Sequence, residues 1–414
     1  MPWKETCAME ERMKFVLECL EGEWSKAELC RIYGISRPTG DKWLMRYAEM
    51  GIEGLADRSR APRHHPNGVS QAAEEAIVAL RQAHVHWGPK KLRVLLARER
   101  PGGVWPAAST IGAILKRHGL TVPRKRRRRT PPYTQPFADS DGPNALWCVD
   151  HKGWFRTGDG RPCEPLTMTD AWSRYLLRSQ AVDDKKCETT RGVMEAAFRE
   201  YGLPWAIRSD NGPPFASRGV GGLSRLSVWW LKLGVGAERI EPGHPEQNGR
   251  HERMHETLKR ETASPPQATA RKQQEAFDRF RREFNEERPH EALGQRTPAS
   301  VYEPSPRAYP ARLEAVEYPE GWQARVVQKH GQFYWKRTDV FLGEALYGER
   351  VGLEPLDERY WWVRFVTTAL GVFDSHRRRI LTFTEAARVG VAAESRSGAP
   401  SATLQGLRTG PSTP

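Results

Sequence analysis

The chain has 414 residues, more than one hydrophobic core usually organises, so we expect two to four domains. Hydrophobic residues make up 38% of the sequence, which excludes a wholly disordered chain. No run approaches about 18 apolar residues and the N-terminus lacks a hydrophobic signal core, so we expect a cytoplasmic protein with no membrane partner. Lys and Arg exceed Asp and Glu by 14 charges, a balance that favours polyanionic partners.

The cysteines show none of the closely spaced Cys or His pairs from which zinc-finger sites are built. We therefore expect reduced thiols that are mostly buried. The six residues are Cys7, Cys19, Cys30, Cys148, Cys163 and Cys187.

Residues 1–60 are predicted to form three helices. Gly34 permits a tight turn before the third helix, and Ser36 can cap that helix. With its aromatic residues packed inward, the third helix leaves polar side chains near its N-terminal end free to contact DNA, as a recognition helix requires. These candidate contacts are Arg37, Thr39 and Lys42. An ordinary three-helix bundle is the alternative for this segment.

Residues 61–123 show a similar helical pattern, with Ser109 as a plausible cap of its last helix, and we predict a second helix-turn-helix module. Residues 124–138 form a basic, proline-rich linker. Phosphate contact is the favoured role of its basic run, and a solvated linker is the alternative. The run comprises Arg124, Lys125, Arg126, Arg127, Arg128 and Arg129.

Strand and helix patterns alternate over residues 139–303, and three opening strands followed by helix, strand, helix, strand and helix indicate a ribonuclease-H-like α/β core. Residues 318–385 contain short strand patterns that predict a small SH3-like β-barrel. Residues 386–414 are rich in Ala, Ser, Gly, Thr and Pro and predict a disordered tail. The expected fold is therefore multidomain, with two all-α modules, an α/β core and a β-barrel.

Two carboxylates are predicted to end neighbouring strands of the core. Asp150 ends the apolar run LWCVD, where a buried carboxylate is costly unless it is paired or bound to metal. Asp210 ends a second apolar strand and is followed by the turn residues Asn211 and Gly212. Because functional sites of open α/β sheets form beyond the carboxyl ends of their strands, these two side chains can converge.

Two residues compete for the place of a third carboxylate. Glu246 lies 36 positions after Asp210, a spacing that a motif search would favour, but it falls in a loop between Pro245 and Gly249. Glu252 falls in the first turn of the predicted helix RHERMHETLKRE. A helix fixes a side chain better than a loop does, and we therefore favour Glu252.

Several phrases of the core resemble DDE transposases that are related to retroviral integrases. They are WCVDHKGWF, PLTMTDAWSRY, SDNGPPF, PGHPEQNGRHERMHETLKRE and FNEERPHEALGQRTPASVY. The likeness covers roughly residues 147–302, extends loosely to the N-terminal modules, and is greatest to insertion-sequence transposases with two helix-turn-helix units. In that family the third carboxylate follows the Asn-Gly pair of the loop, here Asn248 and Gly249, which supports Glu252. The 41 residues between Asp210 and Glu252 exceed the family spacing, and the segment SRGVGG accommodates the difference as a surface loop.

The resemblance implies two-metal phosphoryl transfer on DNA. Asp150 would bridge two Mg²⁺ ions, while Asp210 and Glu252 would each hold one, and Mn²⁺ could substitute. Cys148 and His151 flank Asp150, but strand alternation is expected to turn both away from it, so we set them aside as ligands.

Auxiliary contacts to DNA or water are assigned to Asn211 and His244, although turn and loop roles suit both residues equally. Lys259 is a candidate phosphate contact, and a solvated helix face explains it equally well.

The leading hypothesis is a bacterial, nucleoid-associated DNA transposase that binds terminal inverted repeats through residues 1–123. It would cut and join strands of double-stranded DNA, the element ends and the target, and would act as a homo-oligomer on DNA. One alternative is a sequence-specific DNA-binding repressor with a catalytically silent core. Another is a hydrolytic ribonuclease-H-like nuclease, which explains the core but not the N-terminal modules.

Overall fold

The computed structural model of the chain describes residues 7–59, 68–121, 140–217, 219–240 and 249–391. The chain separates into two compact units, residues 1–70 and 71–414. Within the described residues, no helix combines the length and the apolar character that a membrane span needs.

The first unit contains the three predicted helices, α1 (Ala8–Glu21), α2 (Lys26–Ile32) and α3 (Arg37–Met50). Ser36 caps α3 as predicted, because its hydroxyl accepts a hydrogen bond from the backbone N–H of Thr39. Gly34 has a φ of 64°, which permits the tight turn before α3. The small core of this unit is formed by Phe15, Val16, Leu29, Cys30, Trp43 and Leu55.

The second unit begins with α4 (Gln71–Ala83), α5 (Pro89–Glu99) and α6 (Ala108–Arg117). The predicted cap of α6 is wrong by two positions. Ala107 already has the extended backbone of an N-cap residue, so α6 begins at Ala108 and Ser109 lies inside its first turn. No side chain supplies a capping hydrogen bond there.

The α4–α6 module is attached to the core by polar contacts around one short segment. Nδ1 of His84 lies 3.1 Å from a carboxylate oxygen of Glu283, and Arg98 donates to the backbone carbonyl of Glu287 at 3.1 Å. The imidazole of His84 also stacks on the buried indole of Trp87, with 4.0 Å between the ring centroids. Residues 283–287 form a π-helix that continues the helix Ala270–Arg282. The module is therefore fixed to the core.

The core sheet runs in the order β4, β3, β1, β5 and β6, with β2 paired to the start of β3. Pairs β1–β3 and β3–β4 are antiparallel, whereas β1–β5 and β5–β6 are parallel. The strands are β1 (Leu146–His151), β2 (Phe155–Arg156), β3 (Pro162–Asp170), β4 (Leu176–Val182), β5 (Ala206–Ser209) and β6 (Gly236–Arg239).

Helices cover both faces of this sheet. On one face, α7 (Cys187–Tyr201) and α8 (Arg225–Lys232) pack on Trp147 and Val149 of β1. On the other face, α9 (Gly249–Thr262) and α10 (Ala270–Arg282) form a second core with residues of β3 and β4. Side chains of odd and even position in β1 therefore face different helix pairs, which decides where Asp150 points.

The C-terminal part forms open sheets, and the predicted β-barrel is not confirmed. Strands β13, β12, β11, β10 and β7 form one antiparallel sheet, and β8 and β9 form a separate hairpin. In the described residues, no strand ladder joins the hairpin to the sheet, so the barrel stays open. The strands are β7 (Gln323–Val326), β8 (Gln332–Trp335), β9 (Thr338–Phe341), β10 (Arg350–Pro355), β11 (Tyr360–Phe365), β12 (Thr368–Asp374) and β13 (Arg379–Leu381).

A last helix, α11 (Phe383–Arg388), packs on the five-stranded sheet. Its residue Ala386 is fully buried against Trp362, Val372 and Leu381. Described structure therefore continues past the boundary at 385 that composition suggests for the tail.

The C-terminal sheets share a hydrophobic core with α8. Val228 and Leu231 project from the outer side of α8 and are buried together with Phe333 and Phe365 of the sheets. Lys232 adds an ion pair with Glu349 at 2.8 Å. The C-terminal part is therefore packed on the α/β core through one face of this helix.

Candidate active site at the carboxyl ends of β1 and β5

Asp150 and Asp210 occupy matching positions in neighbouring parallel strands. Cys148 of β1 is paired with Arg208 of β5, so two residues further on Asp150 stands beside Asp210. Because side chains alternate along a strand, both carboxylates lie on the same face. The side chain of Asp150 is 17% exposed, and Asp210 is half-buried. The structure thus brings the first two predicted carboxylates to one edge of the sheet.

The turn after β5 holds Asp210 through local hydrogen bonds. A carboxylate oxygen of Asp210 accepts from the backbone N–H of Gly212 at 3.2 Å. The side-chain amide of Asn211 donates to the backbone carbonyl of Ile240 at 2.8 Å. Asn211 therefore ties the end of β5 to the end of β6, which is a structural role for a residue predicted to orient DNA or water.

Helix α9 crosses this edge of the sheet at Asp150. Glu252 lies in the first turn of α9 and is exposed, whereas His251 and His255 on the same helix are buried. Nδ1 of His255 lies 3.8 Å from a carboxylate oxygen of Asp150. Glu252 stands one helical turn before His255 on the same helix.

One threonine hydroxyl holds both histidines of α9. Thr167 Oγ1 donates to the backbone carbonyl of Asp150 at 3.2 Å and lies 2.7 Å and 2.6 Å from the Nε2 atoms of His251 and His255. When the single hydroxyl proton goes to the carbonyl of Asp150, both imidazoles donate to the hydroxyl through Nε2–H. Thr169 Oγ1 then donates to Nδ1 of His251 at 3.0 Å. Strand β3 thus anchors the N-terminal half of α9.

Burial keeps both imidazoles neutral. It lowers the pKa of His251 to about 3 and lowers the pKa of His255 far below its ordinary range. With its proton on Nε2, a neutral His255 presents an unprotonated Nδ1 to the carboxylate of Asp150. Two electron-pair donors therefore face each other across 3.8 Å, an arrangement that a cation between them stabilises.

Asp150 and His255 offer a carboxylate oxygen and an unprotonated ring nitrogen to a divalent cation, whereas both ring nitrogens of His251 are engaged by Thr167 and Thr169. Among the described residues, one group of three potential ligands has its atoms within 4.8 Å of one another, and it consists of Asp150, His251 and His255. Asp210 and Glu252 are not members of that group, so the three predicted carboxylates are not gathered at this distance. The carboxylate oxygens of Asp150, Asp210 and Glu252 are ligands that suit Mg²⁺. His255 adds a nitrogen ligand that was not predicted.

The expected orientation of Cys148 is wrong, whereas that of His151 agrees with the structure. His151 faces α7 and α8, where its ring lies 5.7 Å from the ring of Phe215. Cys148 is two residues before Asp150 and therefore lies on the same face as Asp150, in a cluster with Leu146. Alternation over two residues restores the original face, which the prediction overlooked.

The other predicted site residues are only partly described. Arg37 and Lys42 are exposed on α3, with the Lys42 ammonium 4.2 Å from the ring centroid of Trp43. Thr39 is half-buried, with its hydroxyl 2.8 Å from that of Ser36. Lys259 is exposed on α9. Three predictions lie outside the described residues, namely His244, Glu246 and the basic run Arg124–Arg129.

Sequence reasoning missed the two histidines of α9 and the threonines that hold them. The signal was the spacing of His251 and His255, which places both on the helix face that carries Met254 and Leu258. A histidine pair on an apolar helix face needs buried polar partners, and alternate residues of the neighbouring strand, Thr167 and Thr169, supply them.

Family comparisons match both halves of the chain. The profile described as Integrase core domain matches residues 140–245, and a second profile of the same description matches residues 233–298. A Homeodomain-like domain profile matches residues 39–115, and a Helix-turn-helix domain profile matches residues 11–63.

Two relatives come from bacterial insertion elements. The chain is 28% identical over 302 residues to the insertion element IS476 uncharacterized 39.2 kDa protein of Xanthomonas euvesicatoria. The aligned region covers 71% of this chain and 78% of the relative. It is 27% identical over 255 residues to the insertion element IS407 uncharacterized 31.7 kDa protein of Burkholderia multivorans. Here the aligned region covers 59% of this chain and 87% of the relative.

Among solved structures, the HTLV-2 integrase catalytic core domain in complex with magnesium matches 40% of this chain and 99% of its own, with 15% identity and a TM-score of 0.32. A TM-score this low does not establish a common fold, so the assignment of the core rests on the sequence matches.

Proposed function

Because the chain combines an integrase core domain with helix-turn-helix domains and is a homologue of insertion-element proteins, we propose that it is a DNA transposase that performs metal-dependent strand cleavage and strand transfer. The observation that carries the proposal is the matching register of Asp150 and Asp210 at the carboxyl ends of β1 and β5. Glu252, on the helix that is anchored beside them, completes the proposed catalytic set.

Asp150, Asp210 and Glu252 would hold two Mg²⁺ ions, with His255 as an additional nitrogen beside Asp150. When bound, the ions supply an activated oxygen nucleophile and stabilise the leaving oxygen of the DNA phosphodiester. The protein's own contribution is to fix the carboxylates. Thr167 keeps the histidines of α9 against β3, and α9 would in turn hold Glu252 beside the two aspartates.

DNA binding is assigned to the basic, helical N-terminal part. Residues 1–60 and 61–123 would read the terminal inverted repeats, with Arg37 and Lys42 exposed at the N-terminal half of α3 where a recognition helix contacts bases. The run Arg124–Arg129 and Lys259 would contact phosphates. Since transposition joins two DNA ends to a target, the active species would be a homo-oligomer on double-stranded DNA.

The test uses the full chain, Mg²⁺ and duplexes that carry the DNA flanking the coding region on each side. We expect nicking at the ends and joining to a target duplex, and we expect Asp210→Asn and Glu252→Gln each to abolish both steps while DNA binding persists. Glu256→Gln is the matched control, because Glu256 is exposed one turn further along α9. Glu246→Gln should also leave activity intact.

Each other outcome contradicts a defined part of the proposal. Activity that survives Asp210→Asn would contradict the catalytic set. Loss of activity in Glu246→Gln, with activity retained in Glu252→Gln, would move the third carboxylate to the loop. DNA binding without cleavage would favour a repressor, and cleavage without joining would favour a hydrolytic nuclease.

A further inference from the structure

A cavity of about 310 Å³ lies beside the proposed active site, between the start of β2 and helices α9 and α10. Its volume falls at the lower end of the range for small-molecule sites. The residues that matter here are Lys152, Trp154, Phe155, Leu258, Lys259 and Phe277. Lys152 follows Asp150 by two positions, and Lys259 follows Glu252 by seven positions on the same side of α9.

The cavity combines an apolar interior with a cationic rim. Leu258 and Phe277 are buried at its base, whereas Trp154 is 65% exposed at its mouth. The guanidinium of Arg156 lies 5.7 Å from the Trp154 ring centroid, a cation–π contact that restrains the indole. Lys152 and Lys259 both line the cavity, and within the described ranges neither lysine forms an ion pair with an acidic residue.

Backbone hydrogen bonds fix the wall that carries Trp154. The N–H of Lys152 donates to the carbonyl of Pro165 at 2.8 Å, and the N–H of Gly153 donates to the carboxylate of Glu164 at 3.0 Å. Beyond β2, the N–H of Gly158 donates to the carbonyl of Gln267 in the loop between α9 and α10 at 2.9 Å. The segment is tied at both ends, so the cavity is a preformed site.

We propose that this cavity binds an unpaired nucleobase of the DNA strand that enters the active site, with the base against Trp154 and its phosphate between Lys152 and Lys259. An exposed aromatic ring next to cationic side chains matches the stacking and phosphate contacts with which proteins hold single-stranded DNA. This inference rests on the proposed function, because it takes its ligand from the DNA that the carboxylates would act on.

The geometry also locates the base along the strand. Lys259 lies seven positions after Glu252 on α9, a rise of about 10 Å, and successive phosphates of a strand are about 3.4 Å apart along the duplex axis. For a strand that runs along α9 with the axial rise of a duplex, the bound base lies about three nucleotides from the phosphodiester that reacts. A strand must be locally unpaired at that distance for the base to reach the cavity.

The experiment measures DNA binding without Mg²⁺, so that catalysis does not enter the result. Two duplexes of the same sequence are compared by fluorescence anisotropy, one fully paired and one with an unpaired base three nucleotides from the end. Trp154→Ala should weaken binding of the unpaired duplex by about 5- to 100-fold and leave the paired duplex nearly unchanged. Trp154→Phe should retain most of the preference, because it keeps an aromatic face.

Trp172→Ala is the matched control, since Trp172 is also an exposed tryptophan and does not line the cavity. A second readout is photo-crosslinking with 5-iodouracil placed one to five nucleotides from the end, which should label the peptide that contains Trp154 most strongly at the third position. Crosslinking of the unmodified chain does not depend on the stability of any variant.

The inference is overturned if Trp154→Ala and Trp172→Ala bind both duplexes alike, or if crosslinks map away from residues 152–156. Loss of self-association in Trp154→Ala, with DNA affinity unchanged, would assign the cavity to a second copy of the chain instead. A chain that prefers the unpaired base but neither nicks nor joins DNA would refute the transposase proposal alone. A chain that nicks and joins without this preference would refute the cavity proposal alone.

Discussion

Replacing Thr167 by valine tests whether one hydroxyl holds the helix that carries Glu252. The substitution keeps the shape of the side chain and removes its oxygen, which is fully buried. In the native chain this oxygen lies 2.7 Å and 2.6 Å from the Nε2 atoms of His251 and His255. Without it, two buried imidazole N–H groups on α9 have lost the acceptor that they share.

The expected cost follows from the number of groups left without a partner. A buried polar group that loses its hydrogen bond costs about 1–3 kcal/mol, so Thr167→Val should destabilise the packing of α9 by about 2–6 kcal/mol. Thr169→Val removes one bond, to Nδ1 of His251, and should cost about 1–3 kcal/mol. Thr167→Ser restores the hydroxyl and should recover most of the loss.

Hydrogen–deuterium exchange of the α9 amides, residues 249–262, measures this effect locally. A loss of about 2 kcal/mol corresponds to about 30-fold faster exchange, since 1.4 kcal/mol is a factor of ten. If Thr167→Val accelerates exchange no more than Thr169→Val does, the hydroxyl does not anchor α9 and the reasoning fails.

Three further predictions concern stability. The hydrogen bond to Glu283 raises the pKa of His84. The pair therefore contributes fully to the free energy of unfolding below about pH 6.5 and loses this contribution as the pH rises through the folded-state pKa. His84→Gln should flatten that part of the pH dependence of the unfolding midpoint. Arg359→Ala removes two hydrogen bonds to the buried Asp374 carboxylate, whose pKa that guanidinium lowers to about 2, and should reduce the free energy of unfolding in urea by about 1–3 kcal/mol; an unchanged midpoint would contradict this. Trp230→Ala should cost about 3–5 kcal/mol in thermal unfolding because its indole is buried in the α/β core, and a cost below about 1 kcal/mol would show that the core refills the space.

The core strands and their terminal carboxylates could be predicted because the decisive information is local. Asp150 ends an apolar run, and Asp210 is followed by an Asn-Gly turn, so the local sequence around each residue predicts both a strand and the position where it ends. Their register across β1 and β5 follows once the strands are parallel neighbours. The assignment of all three carboxylates as catalytic residues stays a prediction.

Features that depend on distant contacts could not be predicted in the same way. The attachment of α4–α6 joins His84 to Glu283, residues that are far apart in the chain and individually unremarkable. Barrel closure likewise depends on whether the β8–β9 hairpin pairs with the sheet, and strand patterns do not specify partners. The cap of α6 failed for a local reason, because Ala107 takes the N-cap position without any side-chain acceptor and leaves Ser109 inside the helix.

Because one face of α8 packs against the C-terminal sheets, the residues of these two parts of the chain must match each other. Val228 and Leu231 are buried in a cluster that includes Phe333 and Phe365 of the C-terminal sheets, so a chain shortened before β7 would expose an apolar stripe on its α/β core. Replacing the C-terminal sheets alone would therefore remove the apolar partners that cover this face of α8. Any recombination that replaces them must also replace the outer residues of α8, and Lys232 with its partner Glu349.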